Sequence, residues 1–266
     1  MKNAPPKRDR NRRPASEKPS RPHPPNPDRA KHDRRDDDAT PTGRRVKPRV
    51  TSAEHRPDAI VKEVWKPGTM LYPVPIVMVT SASREGKPNI ASVAWAGTVC
   101  SDPPMISISL RKATLSHGLI LASREFVVNV PSVRQVQWAD YCGVVSGRTV
   151  DKFEATGLTP HPAQTVAAPL ILECPINIEC AVKKILELGS HTLFLAEVSA
   201  VQVTRDLIDA SGRLALEKAG LAAYVHGDYV ALDKKLGFFG FSVQRKKSGY
   251  GSVARRAPSR AGKKRF

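Results

Sequence analysis

The sequence lacks the features by which membrane, secreted and metal-binding proteins are usually identified. No stretch of its 266 residues approaches the ~18 apolar residues that a membrane-spanning helix needs. No apolar run follows the basic N-terminus, as it would in a secretory signal. The cysteines lack the CxxC spacing of a zinc site, and we expect reduced thiols at Cys100, Cys142, Cys174 and Cys180. These absences predict a cytoplasmic protein with no metal site.

Aromatic and large aliphatic residues are missing from the start of the chain. Residues 1–58 contain no Phe, Trp, Tyr, Leu or Ile but 11 of the 23 prolines. They bury too little apolar area to offset the entropy of ordering, which predicts disorder. Their charge is +8, and residues 245–266 add nine basic and no acidic side chains. Nearly all of the net charge of +18 therefore lies in two predicted tails, and residues 59–244 form a nearly neutral domain.

Short apolar runs broken by turn residues predict a mainly β domain. Residues 76–79 and 90–99 are expected to form two strands of a hairpin, and residues 105–110 alternate apolar and polar side chains. The spacing typical of parallel βαβ units is absent, which favours a closed antiparallel barrel with a few helices packed on it. Further strands are predicted at residues 126–130, 170–173, 176–186 and 192–203.

Two polar residues are predicted to cap short helices, and a further turn of helix is predicted in a later connection. Thr114 precedes apolar residues spaced four apart and predicts a helix that ends near residue 123. Ser132 predicts a second helix that ends near residue 142. Asp151 opens a predicted turn of helix within a polar connection.

Small residues on the second predicted strand form one candidate ligand surface. Strand alternation places Ala94, Ala96 and Thr98 on one face, beside Gly97, where a flat ligand can lie against the backbone. The same pattern suits close packing of two barrel strands, and periodicity alone favours this alternative. Alternation points Trp95 to the opposite face, as a core residue.

Cations and hydroxyls meet at the next predicted junction of a strand and a helix. A helix N-terminus offers free N–H groups and the positive end of a dipole, so a phosphate can bind there. Arg111, Lys112, Thr114 and Ser116 would supply the charge-assisted hydrogen bonds. An ordinary capped helix beside a basic loop is the alternative. No GxxxxGK[ST] or GxGxxG motif is present, so neither a nucleoside triphosphate site nor a Rossmann site is supported.

Two further regions hold candidate side chains. Two basic residues, Lys152 and Arg148, can add positive charge to the same site. Alternatively, Lys152 forms an ordinary solvent-exposed ion pair with Asp151 or Glu154. His191 opens a predicted strand, where a histidine can donate to a ligand, move a proton near neutral pH, or simply be an edge residue. No partner at motif spacing makes His191 a hydrolase base.

Seven segments, taken in order, resemble the flavin reductase-like family, the FMN-binding split-barrel proteins that include the flavoredoxins. The resemblance covers residues 65–243, and its specificity comes from the order of the segments. They are YPVPIVMVTS (72–81), GKPNIASVAWAGT (86–98), SDPPMISISL (101–110), FVVNVP (126–131), DKF (151–153), GSHTLF (189–194) and LGFFGF (236–241).

The resemblance implies a six-stranded antiparallel Greek-key split β-barrel that forms a homodimer and binds FMN near the subunit interface. In such proteins the Asn and Trp of the second strand lie beside the flavin, and the small-residue backbone after them follows the ring. With the candidates above, the expected cofactor-binding residues are Asn89, Trp95, Ala96, Gly97, Thr98, Arg111, Lys112, Thr114, Ser116, Lys152, His191 and Tyr224.

Three of these assignments carry alternatives. The hydroxyl of the helix cap corresponds to Ser116, with Thr114 as its neighbour, and the late aromatic corresponds to Tyr224, with Tyr229 as the second choice. His191 is the expected catalytic residue, which would position a nicotinamide on the flavin. Family members often have Gly-Asp-His where this chain has Gly-Ser-His at residues 189–191, a change that flavoredoxins tolerate.

Three functions follow from these expectations. The first is an FMN-dependent oxidoreductase that takes electrons from NAD(P)H and passes them to an acceptor, or as reduced flavin to a partner monooxygenase. The second is a flavoredoxin-like carrier that exchanges electrons with another redox protein. The third, of a different class, is polyanion binding by the basic tails. Because the N-terminal tail has no aromatic residue for base stacking, only weak, salt-sensitive binding is expected of it.

Overall fold

The computed structural model describes residues 60–243. The predicted tails lie outside this range, and their disorder and binding stay predictions. The described strands are β1 (Val74–Pro75), β2 (Val77–Ala82), β3 (Pro88–Val93), β4 (Ala96–Ser101), β5 (Pro104–Arg111), β6 (Glu125–Val130), β7 (Pro160–His161), β8 (Leu170–Ile171), β9 (Ile176–Leu188), β10 (His191–Val203), β11 (Ala222–Val225) and β12 (Asp228–Ala231). The α-helices are α1 (Leu115–Ser123), α2 (Val136–Val144) and α3 (Lys152–Thr156).

The main sheet has seven antiparallel strands in the order β3-β2-β6-β9-β10-β5-β4. Its two edge strands are consecutive in the chain, since only Ala94 and Trp95 separate β3 from β4. The N–H of Ser109 in β5 donates to the carbonyl of Trp95 at 2.9 Å, which fixes this link against the sheet. With β3 and β4 counted as one bent strand, six strands form the barrel, and the predicted mainly β, split-barrel class is confirmed.

The bend corrects the prediction of one continuous strand over residues 90–99. The ladder breaks at Ala94 and Trp95, and β4 begins again on the other side of the barrel, paired with β5. Alternation of small and large side chains says which face a residue occupies, but it contains no signal for a change of partner strand. Trp95 is consequently half-buried at the bend and is not a core residue.

The predicted helix caps are confirmed. Thr114 accepts a hydrogen bond from the His117 N–H. The turn of helix predicted at residues 151–154 is α3, and the structure adds that Asp151 caps it. Ser132 caps a single 3₁₀ turn, Val133–Gln135, that leads into α2. None of the helices in residues 60–243 is long and apolar enough to cross a membrane.

The barrel interior is filled by apolar side chains from the central strands. Phe126 on β6, Ile108 on β5 and Phe194 on β10 are fully buried, as is Ile120 on α1, which packs against them. Burial of each such side chain stabilises the fold by roughly 1.5–3 kcal/mol relative to exposure. This core holds β5, β10 and α1 together, and these three elements carry one rim of the candidate site.

A separate sheet of three short strands, β1-β11-β12, was not predicted. Its strands have only two to four residues, too few for a periodic pattern. Tyr224 pairs with Val74 on one side and with Tyr229 on the other. Both tyrosines pack on the hydrophobic cluster that also contains Trp138 of α2.

Candidate functional site

A cavity of about 440 Å³ lies where the β3–β4 bend, the start of α1 and the connection after α2 meet. Its size falls within the ~300–1,000 Å³ usual for small-molecule sites. Seven of the twelve predicted site residues line it: Asn89, Trp95, Arg111, Thr114, Ser116, Lys152 and His191.

One rim of the cavity is cationic and rich in donors. The pairing of β5 with β10 places His191 directly opposite Arg111, at the end of both strands. α1 begins four residues after Arg111, and the N–H groups of Leu115 and Ser116 precede the first hydrogen bond within the helix. His191 Nδ1 lies 2.8 Å from the Ser190 hydroxyl, which leaves Nε2 for another partner. This rim has the donor set that an anionic group requires.

The floor of the cavity is a fixed polar cluster. Asn89 Nδ2 donates to the Ser116 Oγ at 2.8 Å, and the Ser81 hydroxyl donates to the same oxygen at 3.3 Å. All three residues are buried. Their hydrogen bonds connect β2, β3 and α1, so the predicted pair Asn89 and Ser116 forms one unit.

Gly147 is a site residue that sequence reasoning missed. A Cβ at this position would lie 1.9 Å from the Asn89 Oδ1 and 2.7 Å from its Cγ. Only a glycine therefore lets the connection after α2 approach the carboxamide so closely. The sequence held no signal for this, because the contact joins residues that are 58 positions apart.

Lys152 is buried and makes neither ion pair that was considered for it in solvent. Its Nζ donates to the backbone oxygens of Ile90 at 2.7 Å and Cys142 at 2.6 Å. Burial lowers the pKa of Lys152. The ammonium group thus ties the end of α2 to β3 behind the cavity, and Arg148 is exposed and does not line it.

Five predicted site residues lie away from the cavity wall. Ala96, Gly97 and Thr98 belong to β4, beyond the bend, and of the small residues on that predicted face only Ala94 reaches the cavity. Lys112 forms an ion pair with Glu187. Tyr224 lies behind the wall, separated from Trp95 by Tyr72. Their roles toward a cofactor stay predictions.

A second polar network, unforeseen from the sequence, lies beside the rim. Thr192 donates to the Glu187 carboxylate at 3.1 Å, so its oxygen accepts from the His117 Nε2 at 2.9 Å. His117 is buried against Phe194, at 5.6 Å between ring centres. The hydrogen bond from Lys112 is the main cause that lowers the pKa of Glu187. The network fixes the first turn of α1 to β10, next to His191.

Comparison with known proteins decides the family. The model of the flavin reductase like domain matches residues 69–233. The chain belongs to the flavin reductase-like family. Among solved structures, this flavin reductase-like chain is similar to the flavoredoxin of Desulfovibrio vulgaris (Miyazaki F), with a TM-score of 0.65 and 34% identity over 69% of this chain and 100% of that one.

Two other similarities place the chain more broadly in the family. An FMN-binding protein from Thermus thermophilus is similar with a TM-score of 0.57 and 25% identity, over 68% of this chain and 98% of that one. A curated relative from Rhodococcus opacus is the reductase component of a 4-nitrophenol 4-monooxygenase/4-nitrocatechol 2-monooxygenase. It is 28% identical over 126 residues, 47% of this chain and 64% of the relative.

The cavity of this flavin reductase-like protein fits a phosphorylated flavin. Arg111 and the N-terminus of α1 match a phosphate, because they combine a fixed positive charge with free backbone donors. Trp95 and Ala94 give the opposite wall an aromatic plane and a small side chain, which suit a flat ring system. The donor set and the shape of the cavity therefore agree with the cofactor class of the family.

Proposed function

We propose that this protein is an FMN-binding oxidoreductase that takes electrons from NAD(P)H and passes them through the flavin to an acceptor. The observation that carries the proposal is the juxtaposition of the Arg111–His191 rim, the α1 N-terminus and the Trp95 wall around one cavity. Two observations favour FMN as the flavin. The chain is similar to an FMN-binding protein, and the N-terminus of α1 on the rim suits a single phosphate group.

Each part of the cavity has a distinct task in this proposal. Arg111 and the free N–H groups of α1 bind the phosphate. Asn89 and Ser116, which hold each other in place, present fixed polar groups at the floor. His191, whose Nδ1 is engaged by Ser190, directs Nε2 toward a nicotinamide and orients it. The flavin, when bound, supplies the hydride and electron-transfer chemistry.

A visible absorbance spectrum of the purified protein tests the proposal. We expect flavin bands, present as purified or after addition of FMN, that bleach when NADH or NADPH is added without oxygen. A protein that stays colourless with added FMN would contradict flavin binding. The H191A variant should keep the bands but bleach more slowly, since His191 orients the nicotinamide and Arg111 holds the phosphate.

The second candidate is a flavoredoxin-like electron carrier that does not use NAD(P)H. The 34% identity to a flavoredoxin over that protein's entire length favours it, and so does Ser190 in the Gly-Ser-His element. Bands that persist with both pyridine nucleotides, but bleach with dithionite, would select this function. The reductase component among the relatives supports the alternative that reduced flavin is delivered to a monooxygenase. If reduced flavin is delivered in this way, reduced FMN should dissociate from the protein and pass through a dialysis membrane.

A homodimer is part of the proposal. Large apolar side chains are exposed at both ends of the described range, where Trp65 and Leu71 precede the barrel and Leu236 and Phe239 follow it. Clusters of exposed apolar side chains often mark association sites in soluble proteins. A second copy of the chain is the proposed occupant of this surface.

A further inference from the structure

Four oxidisable rings lead from the cavity to the surface. Trp95 lines the cavity, and its ring centre lies 6.4 Å from that of Tyr72. Tyr72 lies 6.1 Å from Tyr224, and Tyr224 lies 5.6 Å from Tyr229. No step in this four-ring cluster exceeds 6.4 Å, so neighbouring rings are in or near van der Waals contact.

The three-stranded sheet that sequence reasoning missed is what assembles the cluster. Tyr72 lies two residues before Val74 of β1, which pairs with Tyr224 of β11. Tyr224 in turn pairs with Tyr229 of β12. Cross-strand neighbours have Cβ atoms only about 4.5–5.5 Å apart, which places the rings of Tyr224 and Tyr229 side by side. Three of the five tyrosines of the chain are thus arranged in one row beside Trp95.

The outer end of the cluster has a proton acceptor. The Tyr229 hydroxyl donates to the Asp140 Oδ1 at 2.9 Å, and Asp140 is exposed on α2. Burial, with the hydrogen bond and the charge of Asp140, raises the pKa of Tyr229 to about 12. The phenol therefore keeps its proton at neutral pH. A phenol becomes strongly acidic once it loses an electron, and a carboxylate in hydrogen-bond contact can then take the proton.

We propose that Trp95, Tyr72, Tyr224 and Tyr229 conduct an electron from the surface into the cavity when a light-excited flavin, a strong one-electron oxidant, is bound there. One electron leaves Trp95 for the oxidant, and Tyr72, Tyr224 and finally Tyr229 replace it in turn. Tyr229 ends as a neutral radical, and its proton is bound to Asp140. A soluble thiol or ascorbate then returns one electron to Tyr229 and releases its own proton to water, and Asp140 gives the phenolic proton back. The net result is that an electron from the surface has reduced the oxidant in the cavity. The residues around the cavity are unchanged.

This inference rests on the proposed function, because the oxidant in its test is light-excited FMN bound in the cavity. The full-length protein is loaded with FMN, binding is measured by the quenching of flavin fluorescence, and the sample is illuminated without reductant and frozen. Electron paramagnetic resonance then reports the yield of tyrosyl radical. We expect a tyrosyl radical in the native protein.

The variants separate conduction from packing. Y72F keeps the ring but removes its easily oxidised phenol, so it should reduce the radical yield several-fold while FMN binding stays unchanged. D140N should also reduce the yield, because the amide cannot take the proton. Y141F is the matched control: Tyr141 is exposed on α2 next to Asp140, outside the cluster, and its loss should leave the yield unaltered.

The outcomes distinguish the two proposals. FMN that fails to bind would overturn the proposed function and remove the oxidant from the cavity. Bound FMN with equal radical yields in the native protein and Y72F would overturn conduction alone. A Y141F yield as low as that of Y72F would overturn it as well, because the radical would then form outside the four-ring cluster.

Discussion

Arg111 and Lys112 are adjacent cations with different partners, although the sequence assigned both to one site. Arg111 lines the cavity, whereas Lys112 is paired with Glu187. We expect R111Q to weaken FMN binding by roughly 10- to 100-fold. This range corresponds to the free energy of about 1.5–3 kcal/mol that a hydrogen bond to a charged group contributes. K112Q should change the affinity by less than about threefold, because an exposed ion pair contributes little. Fluorescence titration of FMN measures both, and equal losses would contradict the placement.

Lys152 shows why residue types alone predict a site incompletely. The sequence placed a lysine near the cofactor, and the structure does bring it to the cavity. Its partners, however, are the carbonyls of Ile90 and Cys142, which lie 62 and 10 positions away. Spacing cannot reveal such contacts, because they exist only after β3, α2 and α3 have packed.

Among the connecting elements, the segment after α2 depends on Gly147. An alanine Cβ there would meet the Asn89 carboxamide at 1.9 Å, so G147A must displace the side chain that donates to Ser116. We expect G147A to weaken FMN binding about fivefold, which corresponds to the ~1 kcal/mol of one hydrogen bond.

G118A is the matched control for this variant. Gly118 lies within α1, where an added Cβ would meet nothing within 4 Å. Alanine there should raise the free energy of unfolding by up to about 1 kcal/mol and leave the affinity for FMN unchanged. If G118A lowered the affinity as much as G147A, the effect of Gly147 would not be specific to Asn89.

On β9, the carboxylate of Glu179 fastens a loop to the barrel. Glu179 is fully buried and accepts the N–H groups of Gln164 and Thr165, the Thr165 hydroxyl and the Gln202 amide. Burial alone raises its pKa, but these hydrogen bonds outweigh burial and lower it. A lowered pKa in the folded state means that the carboxylate stabilises the fold above about pH 4.3, and this stability is lost as the pH falls through the folded pKa.

We therefore expect E179Q to lower the free energy of unfolding by roughly 1–3 kcal/mol at pH 7. The N–H and hydroxyl groups that donate to Glu179 would then lose a charged acceptor. The difference from the native protein should shrink in acid. Urea unfolding at pH 7 and pH 4 measures it. E197Q, which removes only a surface pair with Lys183, should stay within about 0.5 kcal/mol at both pH values. A difference for E179Q that is independent of pH would exclude the charge as its cause.

Helices and strands were predictable from the sequence where the residues that determine them are close together in the chain. The predicted caps Thr114 and Ser132 are confirmed because each accepts from an N–H group two or three residues away. The bend at Trp95 was missed because alternation contains no signal for a change of partner strand. The strands β1, β11 and β12 were missed because two to four residues are too few for a periodic pattern. Tyr224 pairs with a residue 150 positions earlier, and the four-ring cluster depends on that pairing.

At the scale of the whole molecule, the exposed apolar ends are the feature that a monomer does not explain. Phe239 is 103% and Leu236 is 87% exposed, so neither contributes to the core of its own chain. We expect the native protein to have the mass of the proposed dimer, and the double variant L236S F239S to have that of a monomer with an undiminished unfolding temperature. Light scattering after size exclusion measures this. V201S, at an exposed valine elsewhere on the barrel, should remain dimeric.

The strand that bends at Trp95 also determines how this barrel comes apart. An open sheet can fray one strand at a time from either edge, but here both edges are the same stretch of chain, residues 88–101. Detaching it frees β2 and β5 together, exposes the Phe126 and Phe194 core and dismantles the cavity wall in one event. A flavin bound against the bend, as proposed above, would stabilise this stretch of chain against opening. We therefore expect slower exchange of the amide hydrogens of β2 and β5 after FMN is added.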